Sequence, residues 1–439
     1  MNVAIIGMGF VGLSLAVVLA SKKVIVYGLE NNRPKLNQLK SGNPPFYETD
    51  LKKWLSKATK SGKLKFFETI NEVYPKTDII FITVGTPTKN GIINLNYIKS
   101  VSKDLGKLLR SSHKPLIVVK STIVPGTTDN IIKPILEKYS KKKCGKDFFL
   151  VTNPEFLREG SAIKDQLNPH IIVTGNSDKT SQKFLKKFYD KIFPSKIPRV
   201  YVNFATSEMI KYANNAFLAT KISFINTISN LCQKIPNTNI DTVAKCIGMD
   251  PRIGPLFLKA GPGYGGSCLP KDIDSLISVF QSKGVNSLLL RSVKEVNIRQ
   301  LDEIVKLMKS KMKNLSNKTV SILGLSFKEN SDDIRQSASI RLIKKLLKTG
   351  CTIKVHDPSA LVNTKQIFNS KIQYCNQPKD CLRQSHCAVI MTAWPQYSTL
   401  GKKEFSKMKT PLVIDTRRIL AYSHLDIDYN AIGFTTTNR

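Results

Sequence analysis

The residues best suited to chemistry lie in one run, Gly261-Pro262-Gly263-Tyr264-Gly265-Gly266-Ser267-Cys268-Leu269-Pro270-Lys271-Asp272. Four of its first six residues are glycine, which lets backbone approach a ligand closely. Cys268 follows at once, with Lys271 and Asp272 just beyond. A thiol beside a cation is a candidate covalent nucleophile, because the cation favours the reactive thiolate. A cysteine taken alone is more often a small packing residue. That plainer reading is kept for Cys144, Cys232, Cys246, Cys351, Cys375, Cys381 and Cys387. No CxxC pair occurs, and the five histidines do not cluster with the cysteines, so no metal site is expected.

A second run has the spacing of a phosphate cradle. Gly7-Met8-Gly9-Phe10-Val11-Gly12 follows a β-branched segment and precedes an apolar one. In such a GxGxxG the first glycine makes the turn and the second admits a pyrophosphate; the third lets a helix pack on the sheet. Free N–H groups at the helix start favour an anion. Glu30 ends the next β-type segment. A carboxylate there accepts hydrogen bonds from ribose hydroxyls and repels a 2′-phosphate, so NAD is the expected cofactor. Arg33 and Lys35 lie just beyond and could hold a phosphate, which leaves NADP open.

These groups need a scaffold. Short β-branched runs at 3–7, 24–29, 79–84, 116–120, 148–152, 171–174 and 200–202 alternate with amphipathic segments. That rhythm predicts βαβ units and a parallel sheet with helices on both faces. Apolar residues then recur at helical spacing from 206 to about 234, without Pro or Gly, which predicts one long helix. Helical patterns continue to about Lys313, and a second βαβ rhythm opens at Thr319. Its strands are expected at 320–323, 352–355, 388–392 and 412–415, with a helix at 337–348. The reading is an α/β fold. Two Rossmann-like doubly wound domains, 1–203 and 314–439, are joined by a central helical region, 204–313, with one long helix. The second domain's first strand ends Gly324-Leu325-Ser326-Phe327-Lys328, too bulky for a dinucleotide cradle. That domain should bind a different anionic ligand, or none.

The chain of 439 residues, 41% hydrophobic and 23% charged, is long enough for several packed cores and excludes a disordered protein. From Val3 to Ala20 it is apolar enough to resemble a membrane span. Three glycines and a serine interrupt that stretch and a second β-type run follows, so strand, turn and buried helix is the better reading. With no export signal, the thiols should be reduced and the protein cytoplasmic.

Taken in order, the motifs resemble one family. They are the dinucleotide loop, V-G-T-P at 84–87, K-S-T-I-V-P-G-T at 120–127 and N-P-E-F-L-R-E-G-S-A at 153–162. S-E-M-I-K-Y-A-N-N-A-F-L-A at 207–219, R-I-G at 252–254, the Cys268 run, F-K-E-N-S-D-D-I-R-Q-S at 327–337 and D-T-R-R at 415–418 follow. Over nearly the whole chain this resembles the UDP-glucose/GDP-mannose dehydrogenase family. The resemblance implies oxidation of a nucleotide-sugar C6 alcohol to a carboxylate in two NAD-dependent steps, without release of the aldehyde. Cys268 would carry the carbon as thiohemiacetal and then thioester. Asp272 and a water held by Thr122 would take the hydroxyl proton, with Lys211 close by. Lys211 and Asn215, i and i+4 on the long helix, would stabilise the oxyanion, and Glu155 would activate water for hydrolysis. Without the resemblance, Lys211 and Asn215 read as a solvated helix face.

The same resemblance assigns Gly7, Gly9, Phe10, Val11, Gly12, Glu30, Lys35, Gly85, Thr86, Pro87, Ser121, Thr122, Glu159, Lys271 and Arg335 to the NAD site. It assigns Glu155, Phe156, Leu157, Arg158, Lys211, Asn215, Phe257, Leu258, Lys259, Gly265, Phe327, Lys328 and Arg417 to the sugar nucleotide. Arg252 would reach the neighbouring subunit's site in a homodimer built on the long helix. Gly160 resembles the glucose-specific members, so UDP-glucose oxidised to UDP-glucuronate is the expected reaction. GDP-mannose or an N-acetylated UDP-hexose is the alternative substrate, and a non-catalytic nucleotide-sugar sensor or RNA-associating protein the alternative class.

Lys and Arg number 68 against 32 Asp and Glu, a net charge of +36, but the basic residues are spread along the chain rather than gathered in an arm. Neither specific nucleic acid nor membrane is therefore an expected partner. RNA binding should be weak and should fall steeply with added salt as counterions are released. Filter binding across a salt series checks this, and tight sequence-selective binding at physiological salt would contradict it.

Overall fold

The computed structural model describes every residue except Asn90, Tyr422, His424 and 435–439. A strand apolar at every position can be buried only in a sheet covered on both faces. β1 (Asn2–Ile6) is apolar from Val3 onward: Val3 and Ile5 enter one core, Ala4 the other. Around it lie β2 (Ile25–Leu29), β3 (Leu64–Phe67), β4 (Ile79–Ile82), β7 (Leu116–Val119), β8 (Phe149–Thr152), β9 (Ile172–Asn176) and β10 (Arg199–Val202). Their order is β10-β9-β8-β7-β4-β1-β2-β3. β5 (Thr88–Lys89) and β6 (Ile92–Ile93) form a separate antiparallel ribbon. The first helix, α1 (Phe10–Ser21), has Gly12 to Ala20 wholly buried, which accounts for the apolar stretch. Among the described residues no helix is long and apolar enough to cross a membrane.

One expectation for this sheet fails. β9 pairs with β8 antiparallel, and only β10 restores a parallel neighbour. A parallel return needs a crossover that spans the sheet. The segment between β8 and β9 holds only the six-residue helix Ala162–Leu167, about 9 Å long at ~1.5 Å per residue. The chain therefore enters β9 from the end at which it left β8.

The long helix runs Phe204–Cys232, two residues ahead of its expected limits at each end. Helices Ile240–Gly248, Leu269–Ser282 and Leu288–Met312 follow. The second sheet contains β11 (Thr319–Leu323), β12 (Thr352–His356), β13 (Gln373–Tyr374), β14 (Cys387–Ile390), β15 (Leu412–Asp415) and β16 (Asp428–Ala431). Its order is β13-β12-β11-β14-β15-β16, parallel throughout, the 3-2-1-4-5-6 arrangement of a doubly wound sheet. Val320 and Ile322 face one core and Leu323 the other. Strands β3, β5, β6, β13 and β16 were not expected; each is four residues or fewer and lies at an edge or in the ribbon. The last five residues of the expected C-terminal domain, 435–439, lie outside the described residues.

By internal contacts the chain forms two compact units, Met1–Asn214 with Asp274–Val279, and Asn215–Ile273 with Phe280–Arg439. The division falls inside the helix Phe204–Cys232.

Candidate active site

In the first unit, the sheet reverses its winding between β1 and β4, the place where open α/β sheets bind ligands. Gly7 turns there with φ +100, a value that favours glycine. The Thr83 hydroxyl donates to the Gly7 carbonyl at 2.8 Å and holds the turn. Gly9 is the N-cap of α1, without a side-chain cap, and a Cβ built on it would meet nothing within 4 Å. Bare backbone and open helix N–H groups thus face free space, as a pyrophosphate requires. Gly12 instead packs against the Gly7 carbonyl and Thr83. Gly85 is also open, and Phe10 and Val11 are half-buried beside the turn. Thr86 Oγ1 donates to the Thr122 carbonyl at 2.6 Å and Ser121 Oγ to the Val84 carbonyl at 2.7 Å, tying the loops after β4 and β7 together. Pro87 is exposed on that loop.

Glu30 is buried at the end of β2, its carboxylate 2.7 Å from Lys35 Nζ. Arg33 pairs with Glu68 at 3.0 Å. Both cations that could have served a 2′-phosphate are already matched by carboxylates. These residues fit NAD, with Glu30 placed for the ribose.

Deeper in the same unit lies a cluster of buried charge. β7 and β8 are paired in register, so Lys120 and Asn153, the next residues on each, meet with Nζ 2.9 Å from Oδ1. Glu155 follows on the same loop and pairs with Lys211 at 3.0 Å; both side chains are more than nine-tenths buried. The Leu157 N–H donates to the other Glu155 oxygen at 2.6 Å. The Lys211 ammonium also lies 5.4 Å from the Phe156 ring, whose edge meets His170. Lys211 is therefore no solvated helix residue. Arg158 is exposed and forks onto Asp165, and Glu159 is half-buried next to it. Burial pulls the Lys120 ammonium down to about 8; the Glu155 charge holds it up and Lys211 presses it further down. Burial would raise the Glu155 carboxyl, but Lys211, the Leu157 N–H and Lys120 leave it below the usual range.

In the second unit, Cys268 is exposed and opens the helix Leu269–Ser282, its carbonyl accepting the Asp272 N–H at 2.9 Å. Ser267 Oγ lies 3.5 Å from its sulfur. Asp272 is 2% exposed. Its carboxylate takes Lys271 Nζ at 2.5 Å and Asn215 Nδ2 at 2.7 Å. Lys271 is thus paired with Asp272, and Cys268 stands at a helix N-terminus, where the dipole favours an anion. Asn215, like Lys211, is buried and engaged rather than solvated.

The glycines before Cys268 also differ from expectation. A Cβ on Gly263 would strike Asn297; on Gly265, the Gln336 carbonyl; on Gly266, the Phe327 ring. The chain's own groups fill these spaces. Three buried amides hold the segment: Asn226 accepts the Gly261 N–H at 2.8 Å, Gln300 donates to its carbonyl at 3.1 Å, and Asn297 bonds both ways with Tyr264. Beside it, Arg417 Nε donates to the Met391 carbonyl at 2.7 Å. Burial pulls the Arg417 guanidinium down to about 10, and no described carboxylate pairs with it. Lys328 lies over the Phe327 ring at 5.9 Å. Arg252 is exposed and forked on Asp250, and Arg335 is forked on Asp333. Leu258 is buried and Lys259 exposed. Phe257 between them and Leu256 holds φ +65, a strained value for an aromatic residue. Cys246 is exposed rather than packed.

The second sheet has its own acidic residue after its second strand. Asp357 follows β12 as Glu30 follows β2. Asp357 Oδ2 accepts the Leu325 and Ser326 N–H groups at 2.7 and 3.1 Å and the Trp394 indole at 3.1 Å. The turn that would cradle a pyrophosphate is satisfied from within, which supports the expectation that this domain does not take a dinucleotide there.

Sequence reasoning did not single out Lys120, Asn153, Glu208, Asn226, Asn297 or Gln300. The first three lay inside quoted motifs, but nothing in their spacing distinguishes a buried partner from a surface residue.

Replacing Glu30 by Ala should narrow the preference for NAD over NADP by roughly 10- to 100-fold, the worth of charged hydrogen bonds of about 1.5–3 kcal/mol. Kinetics with both cofactors measure it, and an unchanged ratio would contradict the role. Lys120 should titrate near 8 by ¹⁵N-lysine NMR, lower in Glu155→Gln and higher in Lys211→Met. Between about 8 and the ordinary 10.5 the unfolded chain binds the extra proton, so this group adds stability as pH rises through that window. A Lys120 titrating at 10.5 would show that burial does not govern it.

Comparison with known proteins agrees with this geometry. The UDP-glucose/GDP-mannose dehydrogenase family matches in three parts: its NAD binding domain at residues 1–193, its central domain at 205–299 and its UDP binding domain at 321–422. The UDP-glucose 6-dehydrogenase of Rickettsia bellii is 38% identical over 99% of this chain and 98% of its own. The UDP-glucose dehydrogenase structure from Pyrobaculum islandicum superposes with a TM-score of 0.92 at 33% identity, covering 99% of this chain and 98% of that one. A GDP-mannose dehydrogenase from Pseudomonas aeruginosa gives 0.56 at 29% identity, covering 99% and 100%. The chain thus belongs to the UDP-glucose/GDP-mannose dehydrogenase family and is an NAD-dependent oxidoreductase.

Proposed function

We propose that this chain is a cytoplasmic UDP-glucose 6-dehydrogenase that converts the C6 alcohol of UDP-glucose to the carboxylate of UDP-glucuronate. The observation that carries the choice of sugar is the full-length likeness to UDP-glucose dehydrogenases, stronger in both identity and superposition than the likeness to the GDP-mannose enzyme. Bound NAD supplies a hydride acceptor twice, so that one alcohol, two NAD⁺ and one water give one carboxylate, two NADH and three protons. The sequence divisions 1–203, 204–313 and 314–439 remain our reading of the domains, supported by the three family matches.

The chain's residues divide the work. Asp272, with a water held by Thr122, takes the alcohol proton. The Cys268 thiolate adds to the aldehyde carbon, forming a C–S bond and an oxyanion. Loss of the second hydride leaves a thioester. Glu155 then activates water, which adds to the carbonyl; the C–S bond breaks and the thiolate returns. Lys211 and Asn215 stabilise the negative oxygen at each addition. The depressed Glu155 carboxyl keeps a base in place, and the exposure of Cys268 leaves its sulfur accessible. Arg417, a half-buried cation that no described carboxylate pairs, suits the diphosphate, with Lys328 and Lys259 for the same anion.

The reading includes a homodimer. Phe217, Phe224 and Leu231, at seven-residue spacing on the long helix, are each more than half exposed, a seam of the kind a second helix covers. Arg252, exposed on its Asp250 fork, would serve the partner's site.

Cys268→Ser tests the covalent route, because a serine hydroxyl is a far weaker nucleophile at neutral pH. Turnover should fall on the order of a thousandfold, with the NADH count dropping from two per sugar toward one. Mass spectrometry of the wild type with a slow substrate should show an adduct on Cys268. A serine variant that makes two NADH per sugar at near wild-type rate would sink the thioester step.

A further inference from the structure

Glu208 is a buried carboxylate, 3% exposed, that the proposed chemistry does not use. Its Oε2 accepts the Gly126 N–H at 2.6 Å and its Oε1 the Thr128 N–H at 2.9 Å. Those two groups close the loop that carries Ser121 and Thr122 and start the helical stretch Thr128–Ile132. Glu208 itself stands on the helix Phe204–Cys232, one turn before Lys211. Thr122, Glu208 and Lys211 line one small cavity with Ser121, Thr152 and Pro154.

We propose that Glu208 is a positioning residue: its carboxylate pins the Thr122 loop to the helix that bears Lys211 and so fixes where those two groups stand. Both oxygens accept backbone N–H groups of this one loop. Helix capping alone does not account for it. Thr127 is the N-cap, and a capping hydroxyl serves the N–H groups two or three residues further on, whereas Glu208 takes those of Gly126 and Thr128. Burial pushes the Glu208 carboxyl up to about 7 against the pull of the Thr128 and Gly126 donors, so holding a charge there costs stability. The other end of the loop is held by Thr86 on the Thr122 carbonyl and by Ser121 on the Val84 carbonyl, so Glu208 anchors the opposite end.

The kinetic half of the test rests on the proposed oxidation of UDP-glucose; the exchange half does not. In Glu208→Gln the amide presents an NH₂ to one of the two N–H groups, and Glu208→Asp is one methylene too short to span them. Both variants should lose kcat by roughly 10- to 100-fold, as small misplacements of catalytic groups do. KM for sugar and NAD should move less than about threefold, and the isotope effect with C6-dideuterated sugar should rise as hydride transfer becomes limiting. Full activity in Glu208→Asp but not in Glu208→Gln would assign charge rather than position. A lower melting temperature with kcat unchanged would reduce Glu208 to a structural cap. Hydrogen exchange of the wild type needs no variant and no substrate. The Gly126 and Thr128 amides should be strongly protected, and in Glu208→Gln should exchange faster by roughly tenfold or more. Unprotected amides in the wild type would overturn the clamp. Protected amides in a chain inactive on UDP-glucose would keep the clamp and overturn the substrate.

Discussion

An ammonium taken out of water costs several kcal/mol unless a charge and hydrogen bonds meet it in place. This chain buries two, Lys120 and Lys211, around one carboxylate, Glu155. The surrounding first unit is built so that this arrangement is tolerable. Adjacent parallel strands deliver Lys120 and Asn153 side by side, and the Asn153 amide reaches on to the Val173 carbonyl. The Tyr189 hydroxyl donates to the Asn153 oxygen as well, so one asparagine serves three elements. The cluster keeps an excess of positive charge, which suits a reaction whose intermediates carry negative oxygen.

The second unit holds its reactive group by another means. Neutral amides from two helices hold the glycine segment before Cys268, matching N–H to oxygen and C=O to nitrogen. Asn230 continues the set by donating to Gln300 at 2.9 Å. Amides keep their hydrogen-bonding state at every ordinary pH, so the loop is insulated from the titrations that run through Lys120 and Glu155.

Much of this was legible in the residues alone. The glycine spacing from Gly7 to Gly12, the long helix and both sheet rhythms come from local pattern, which a single sequence carries. The antiparallel β9 was not, because strand direction depends on how far a connection can reach rather than on the strand's own residues. The glycines before Cys268 suggested open backbone, yet Phe327 and Gln336, more than sixty residues away, occupy the space. Lys271 suggested a cation for the thiolate, yet the adjacent carboxylate holds it. Composition cannot rank such partners, since each choice is made by a fold that brings distant groups together. Glu208 shows the same limit: a glutamate on a helix face reads as solvent-facing until the loop that covers it is known.

The Asp357 bond set bears on how two sheets of one winding order come to hold different ligands. In the first sheet the acidic residue after the second strand, Glu30, leaves the glycine turn alone and meets Lys35 and the Asn32 N–H instead. In the second, the equivalent oxygen is turned onto the turn itself, like a rivet driven through a vacated socket. Grafting glycines into the Gly324–Lys328 turn would therefore not recreate a dinucleotide cradle, because the N–H groups a phosphate would need are already spoken for. Removing Asp357 to free them would strand the Trp394 indole and the Ser359 and Ala360 N–H groups that share it. The specialisation of the two halves is in that sense locked: with the carboxylate built into the turn, a dinucleotide could be admitted only by a chain that folds poorly.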